Sequence, residues 1–219
     1  MTLRKRAFDV VVGSVLALLA LPVIVGLALV LTATFRAWPF FVQDRIGFGG
    51  RHFRMVKLRT LRPGTDPYAL KGDLPAGAAP ALGRVLRRWH LDELPQLLLV
   101  PFGRLSLVGP RPKMPDRFEP VDPAYAERRV QVPQGCTGLW QVSPHSDDLP
   151  SASPGYDLYY VDHASLRLDV WILWRTALLM AGVAPAVHLD DVPRWAALPI
   201  TSPQDHPMAE TSSLAGRVA

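Results

Sequence analysis

Cysteine is almost missing from this 219-residue chain, where Cys136 stands alone. One thiol cannot close an intramolecular disulfide, which excludes a secreted disulfide scaffold and points to a reducing compartment. Cys136 sits in a Gly-rich loop with no partner motif and reads as a bystander. Charge is missing from Val10 to Phe35, a run of 26 residues. Acids are scarce in the middle of the chain: between Asp73 and Asp116 only Asp92 and Glu93 occur. No internal repeat is found. A mean hydropathy of +0.13 and 22 prolines point toward membrane contact and long irregular segments. The length fits one domain with an appendage and is enough to bury a core.

The net charge of +5 is unevenly laid out. Residues 1–35 carry +2, residues 36–113 carry +9 and residues 114–219 carry −6. A basic middle block suits an anionic partner, whether phosphates, nucleic acid or an acidic lipid surface; a solvated basic face explains it equally well. No nucleic-acid partner is expected, because the block lacks a recognisable motif with interleaved aromatics and would leave the apolar run unexplained.

That run is long enough to cross a bilayer as a helix. A cleaved signal peptide is the weaker reading, since the run exceeds a normal apolar signal core. Arg4, Lys5 and Arg6 precede it and Arg36, Arg45 and Arg51 follow it, so the positive-inside rule gives no orientation for a single crossing. A segment that enters and returns to the same face satisfies both flanks. Pro22, near the midpoint, supplies a place for a break. Kinked spanning helices also tolerate proline, so both topologies stand.

Beyond the run, Phe40–Gln43 and His52–Leu58 read as strands of a hairpin around Gly47, Gly49 and Gly50. Residues 62–82 read as loop, Leu82–Arg88 and the Leu94–Leu99 region as helices, and 133–156 as loop. Asp122–Val130 reads as a short helix and Leu166–Met180 as a strongly apolar one. The fold class is α+β, with a membrane helix over 1–36, a small, mostly helical catalytic domain over 37–184 and a disordered tail over 185–219.

The chemistry concentrates at Arg87-Arg88-Trp89-His90-Leu91-Asp92-Glu93-Leu94-Pro95-Gln96. Two acids before a helix are ordinarily an N-cap and a first-turn acid. Here they are isolated in basic sequence, with Arg87 upstream and Arg111 in the rigid turn Gly109-Pro110-Arg111-Pro112. Arginine forks bind phosphate oxygens, carboxylates beside them suit Mg²⁺, and a carboxylate can attack phosphorus. The reading is phosphoryl-type transfer at a membrane surface.

Several further pieces stand in order: Lys5-Arg6 with Phe8-Asp9, Phe41-x-Gln43-x-Arg45-x-Gly47-x-x-Gly50, and Lys57-x-Arg59-Thr60. They continue with Leu91–Leu97, Ser106–Pro112, Thr137–Val142, Asp157-x-Tyr159-Tyr160 and Ser165-x-x-x-Asp169. Over residues 4–182 the chain resembles the bacterial sugar transferases, monotopic polyprenyl-phosphate phosphoglycosyl transferases. The resemblance implies transfer of sugar-1-phosphate from a nucleotide-diphosphate sugar, a UDP-hexose or UDP-N-acetylhexosamine, to polyprenyl phosphate with release of UMP. This is the first membrane step of polysaccharide or glycoconjugate synthesis. It makes Asp92 the nucleophile and has Glu93 support it, both acids holding Mg²⁺. Arg87, Arg111, Lys57 and Arg59 become phosphate- or substrate-binding. His145 stands where the family has a nucleotide-contacting Arg. The resemblance further implies a re-entrant helix with both ends at the cytoplasmic face of the bacterial inner membrane, and interfacial amphipathic helices. Trp38, Trp171 and Trp174 are candidates to sit at the membrane surface. The competing reading is a non-catalytic, membrane-anchored binding or scaffold relative, against which the intact acid pair argues.

Overall fold

The computed structural model describes residues 2–66, 68–69, 74–75, 77–115 and 121–197. The apolar run folds as one α-helix, α1 (Leu3–Phe35), capped by the Thr2 hydroxyl, which accepts from the Lys5 N–H. The expected break at Pro22 is not a break: the helix runs on through it. Among the described residues α1 is the one helix long and apolar enough to cross a membrane.

One stripe of α1 is buried: Lys5, Asp9, Gly13, Ala17, Ala20, Ile24 and Leu31, mostly three or four residues apart, the period of a helix face. Gly13 is essential to this approach, because a Cβ there would lie 2.6 Å from the Val100 side chain. The N-terminal half packs through Phe8, Val12 and Leu16 on the main core of Leu105, Leu107, Leu139, Tyr160, Leu168 and Ile172. The C-terminal half packs through Ile24 and Leu31 on Leu58 and Leu86. Both ends of α1 therefore rest on the same domain. The outward side, including Val15, Leu18, Leu19 and Leu29, stays exposed and apolar.

The hairpin holds, with the second strand as expected and the first longer. Strand β1 (Phe40–Ile46) pairs antiparallel with β2 (His52–Leu58), and Phe41 lies opposite Lys57. Helix α2 (Ala81–Arg88) follows, then a 3-10 helix, Leu91–Leu99. A second sheet went unread: β3 (Ser106–Val108) runs parallel to β4 (Gly135–Thr137) inside the segment taken as loop. Glycines allow this close pairing, since a Cβ on Gly109 would lie 2.0 Å from the Pro133 carbonyl oxygen. The remaining α-helices among the described residues are α3 (Pro123–Arg129), α4 (Pro154–His163) and α5 (Leu166–Met180).

Residues 185–197, expected as part of a disordered tail, belong to the packed domain. Val187, Val192 and Ala196 are buried in the main core, and Val187 N–H donates to the Val142 carbonyl at 2.8 Å. Apolar contact ties residues 185–197 to the domain; 198–219 lie outside the described residues, as does part of 62–82. Trp171, offered as a membrane-surface residue, is core at 6% exposed, whereas Trp38 and Trp174 are exposed.

The N-terminal cations also do other work than expected. Lys5 Nζ donates to Asp169 Oδ2 at 2.7 Å and to the Val108 carbonyl at 3.1 Å, and lies 3.9 Å from Asp9. Asp9 accepts from Ser106 Oγ at 2.8 Å and from the Leu107 N–H at 3.1 Å. The Tyr160 hydroxyl donates to Asp169 Oδ1 at 2.6 Å. Arg6 donates to the carbonyls of Val100 and Pro101. Two of the three cations read as a membrane flank are thus spent inside the domain, anchoring α1 to β3 and α5.

Candidate active site

A cleft of about 260 Å³ opens over one face of the hairpin. Side chains alternate along a strand, so Phe41, Gln43 and Arg45 on β1 share a face with Lys57 on β2, and all four line the cleft. Gln43 Oε1 accepts from Arg45 Nε at 3.1 Å and Nη2 at 2.6 Å, which orients that guanidinium. Arg59, Arg62, Arg87 and Arg111 complete a lining of six cations, joined by Asp66, Asp92 and Asp148.

The turn between α2 and the 3-10 helix brings Arg87 and Asp92 to this cleft. His90, in the left-handed region at φ 53°, reverses the chain and caps the 3-10 helix. The cap reading of Asp92 is therefore corrected: Asp92 and Glu93 lie inside the first turn, and Asp92 is 8% exposed. Pro95 follows within the same helix.

The two acids are set apart by their partners. Glu93 Oε1 accepts from Lys57 Nζ at 2.7 Å and from Arg111 Nη2 at 2.7 Å, and Oε2 accepts from Arg111 Nη1 at 3.3 Å. Burial alone would raise its carboxyl, but Arg111 and Lys57 overcome it and hold the group well below the usual carboxylate range. Asp92 shares neither of these ion pairs. Burial and then the adjacent Glu93 charge push its carboxyl up, against Lys57 and Arg87. Neighbouring acids in one site with opposite shifts are a signature of divided roles. Burial lowers Lys57, with Glu93 opposing.

A buried network supports Arg111 from behind. Arg129 Nη2 donates at 2.7 Å both to the Arg111 carbonyl and to Asp157 Oδ2, which also accepts from the Tyr125 hydroxyl at 2.7 Å. Arg59 lines the cleft while donating to the Trp38 carbonyl at 2.8 Å. His145 is outside the lining; its ring is 3.6 Å from Asp148, which is in it. Cys136 is pushed up to about 12, by burial first and then by Glu93 and Asp9, which keeps it a thiol.

Residue-by-residue reading missed Arg45, Arg62 and Trp140 as site residues. Arg45 was within reach, because Gln43 and Arg45 alternate on a strand that also presents Phe41. Trp140 carries a buried indole N–H with no hydrogen-bond partner among the described residues, and it lines the cleft.

Among the described residues Asp92 is thus a buried carboxylate with no side-chain ion pair, in a cleft lined by six cations, on a domain that carries an exposed apolar helix. The chain belongs to the bacterial sugar transferase family, whose sequence profile matches residues 1–182. It is 34% identical over 189 residues to the exopolysaccharide production protein ExoY of Sinorhizobium fredii, covering 78% of this chain and 83% of that one. It is 34% identical over 201 residues to the UDP-glucose:undecaprenyl-phosphate glucose-1-phosphate transferase of Caulobacter vibrioides, covering 86% and 71%. It is 31% identical over 183 residues to a UDP-N-acetylgalactosamine-undecaprenyl-phosphate N-acetylgalactosaminephosphotransferase of Aeromonas hydrophila, covering 78% and 42%.

Proposed function

We propose that the enzyme transfers sugar-1-phosphate from a UDP-sugar to polyprenyl phosphate through a covalent phosphosugar on Asp92. The observation that carries this is the separation of the two acids: Glu93 absorbs Lys57 and Arg111, while Asp92 keeps its carboxylate outside those ion pairs in the cationic cleft. In the first step an Asp92 oxygen attacks the sugar-bearing phosphorus; the bond to the bridging oxygen breaks and UMP leaves with the electron pair. In the second, a polyprenyl phosphate oxygen attacks the same phosphorus. The acyl-phosphate bond breaks, Asp92 is restored and a polyprenyl diphosphate sugar is formed. Arg45, Arg87 and Arg111 offset the repulsion between two anionic reactants.

Among the described residues no three His, Cys, Asp or Glu side chains come together as a metal site. Asp92 in the cleft and the adjacent Glu93 are the carboxylates available to Mg²⁺, which binds through one or two carboxylates with substrate phosphates and water. Asp92 would hold it, and Glu93 could join only by releasing Lys57 or Arg111. When bound, the ion neutralises diphosphate charge. Release of UMP from a panel of UDP-sugars, dependent on added polyprenyl phosphate, tests the reaction; its absence with every sugar rejects it.

The nucleophile must be ionised. Because the Asp92 carboxyl sits above its ordinary value, the acid limb of the rate profile should lie above that of an ordinary Asp. Arg87 lowers that carboxyl, so Arg87→Gln should move the acid limb further up in pH, and an unmoved limb would remove Arg87 from this role.

Both ends of α1 contact one domain, and its outward side is apolar along its length. This supports a helix seated in one leaflet with both ends cytoplasmic, at the inner membrane. Cysteines placed at Thr2 and Ala37 should both label only from the cytoplasmic side; labelling of Thr2→Cys from outside would establish a crossing instead.

A further inference from the structure

A second groove, of about 430 Å³, lies where α1 meets the hairpin. Val25, Ala28 and Leu29 on α1 form one wall, Trp38 and Phe40 another, and Arg36 is the one charged residue in the lining. Val25, Leu29 and Trp38 are all exposed although large and apolar, which is unfavourable in water and favourable among lipid chains. Trp38 and Arg36 at the end of an apolar helix are the residue types that settle at a membrane–water boundary. The groove thus faces the depth at which an isoprenoid lies.

The groove also adjoins the catalytic cleft. Phe40 lines the groove and its neighbour Phe41 lines the cleft, because successive strand residues point to opposite faces. Arg59 bridges the two: it lines the cleft, and its guanidinium is bonded to the Trp38 carbonyl at 2.8 Å and reaches the Phe40 carbonyl at 3.5 Å. A cation at the rim of an apolar groove, followed by a second cation on the way to the reacting carboxylate, matches a ligand with a phosphate head and a long hydrocarbon tail. The polar donor sugar nucleotide has no use for such walls.

We propose that this groove seats the isoprenoid chain of the acceptor, with Arg36 and Arg59 passing its phosphate toward Asp92. The assignment rests on the transfer reaction proposed above. The test uses the full chain in lipid nanodiscs. Val25→Trp and Leu29→Trp fill the groove from exposed positions outside the core. Arg36→Asn removes the cation at φ 49°, a left-handed backbone position that Asn tolerates. Exchange of labelled UMP into UDP-sugar without acceptor reads the donor half alone. Acceptor KM is measured with undecaprenyl phosphate and with geranyl phosphate.

The expected result is wild-type exchange in all three variants. The KM for undecaprenyl phosphate rises roughly tenfold in each tryptophan variant, equivalent to ~1.4 kcal/mol of binding. The preference for the long chain over geranyl phosphate shrinks. Unchanged acceptor KM and chain-length preference in both tryptophan variants would overturn the assignment and leave the groove to ordinary lipid tails. Absence of exchange in the wild type would instead reject covalent transfer itself, so the two failures are distinct.

Discussion

Asp92→Asn is expected to abolish transfer, lowering UMP release and UMP exchange by at least ~10³-fold, the scale seen when a covalent nucleophile is removed. The substitution is nearly isosteric and breaks neither of the ion pairs that bind Glu93, so the cleft should keep its shape. What it removes is the charge and the lone pairs that attack phosphorus. Membrane association should persist, because α1 and its anchors are untouched. Retained turnover in Asp92→Asn would overturn the nucleophile assignment. Glu93→Gln provides the contrast. It frees Lys57 and Arg111 and removes a charge that raises the Asp92 carboxyl, so some exchange should survive and its acid limb should move down in pH.

The largest stability effect is expected from Lys5→Met. Lys5 is 8% exposed and lies between Asp9 and Asp169, both nearly sealed from solvent. Removing it strands two buried acids, and breaking a buried ion pair from one side costs about 3–5 kcal/mol. A fall in thermal midpoint in detergent or nanodiscs reads this directly. Replacing both partners by apolar groups is often close to neutral. Lys5→Met with Asp169→Leu should therefore recover the share of the loss that belongs to Asp169, leaving that of Asp9, and a midpoint equal to wild type in Lys5→Met would show that the bridge carries no stability.

What could be read from the chain alone was whatever depends on local pattern. The helix follows from 26 uncharged residues, the hairpin from alternation around three glycines, and Asp92 from its isolation in basic sequence. The parallel pair β3 and β4 has three residues in each strand, too short for a period, and exists only because glycine backbones approach closely. Lys5 and Arg6 looked like a membrane flank because their partners, Asp169 and the Val100 carbonyl, are remote in sequence. Trp171 and Trp174 sit three apart on one apolar helix, and tertiary packing alone separates a core residue from an exposed one. In the active site the identities were legible, and the partition of cations between Asp92 and Glu93 was not, since it is set by the register of Lys57 on β2 and the Arg111 turn.

The Lys5–Asp169 bridge has a consequence for biosynthesis. The partners are separated by 164 positions, so a charge in the first turns of α1 waits for α5 to be made. Closing so long a loop is slow relative to local helix formation. The N-terminal helix can therefore meet the bilayer before its Lys5 bridge exists, and that bridge closes only after α5 is complete. Chains stopped before residue 169 leave Lys5 with Asp9 as its charged partner. The tie between α1 and α5 is thus among the last that the domain can make, whereas the seat on β2 and α2 is available earlier.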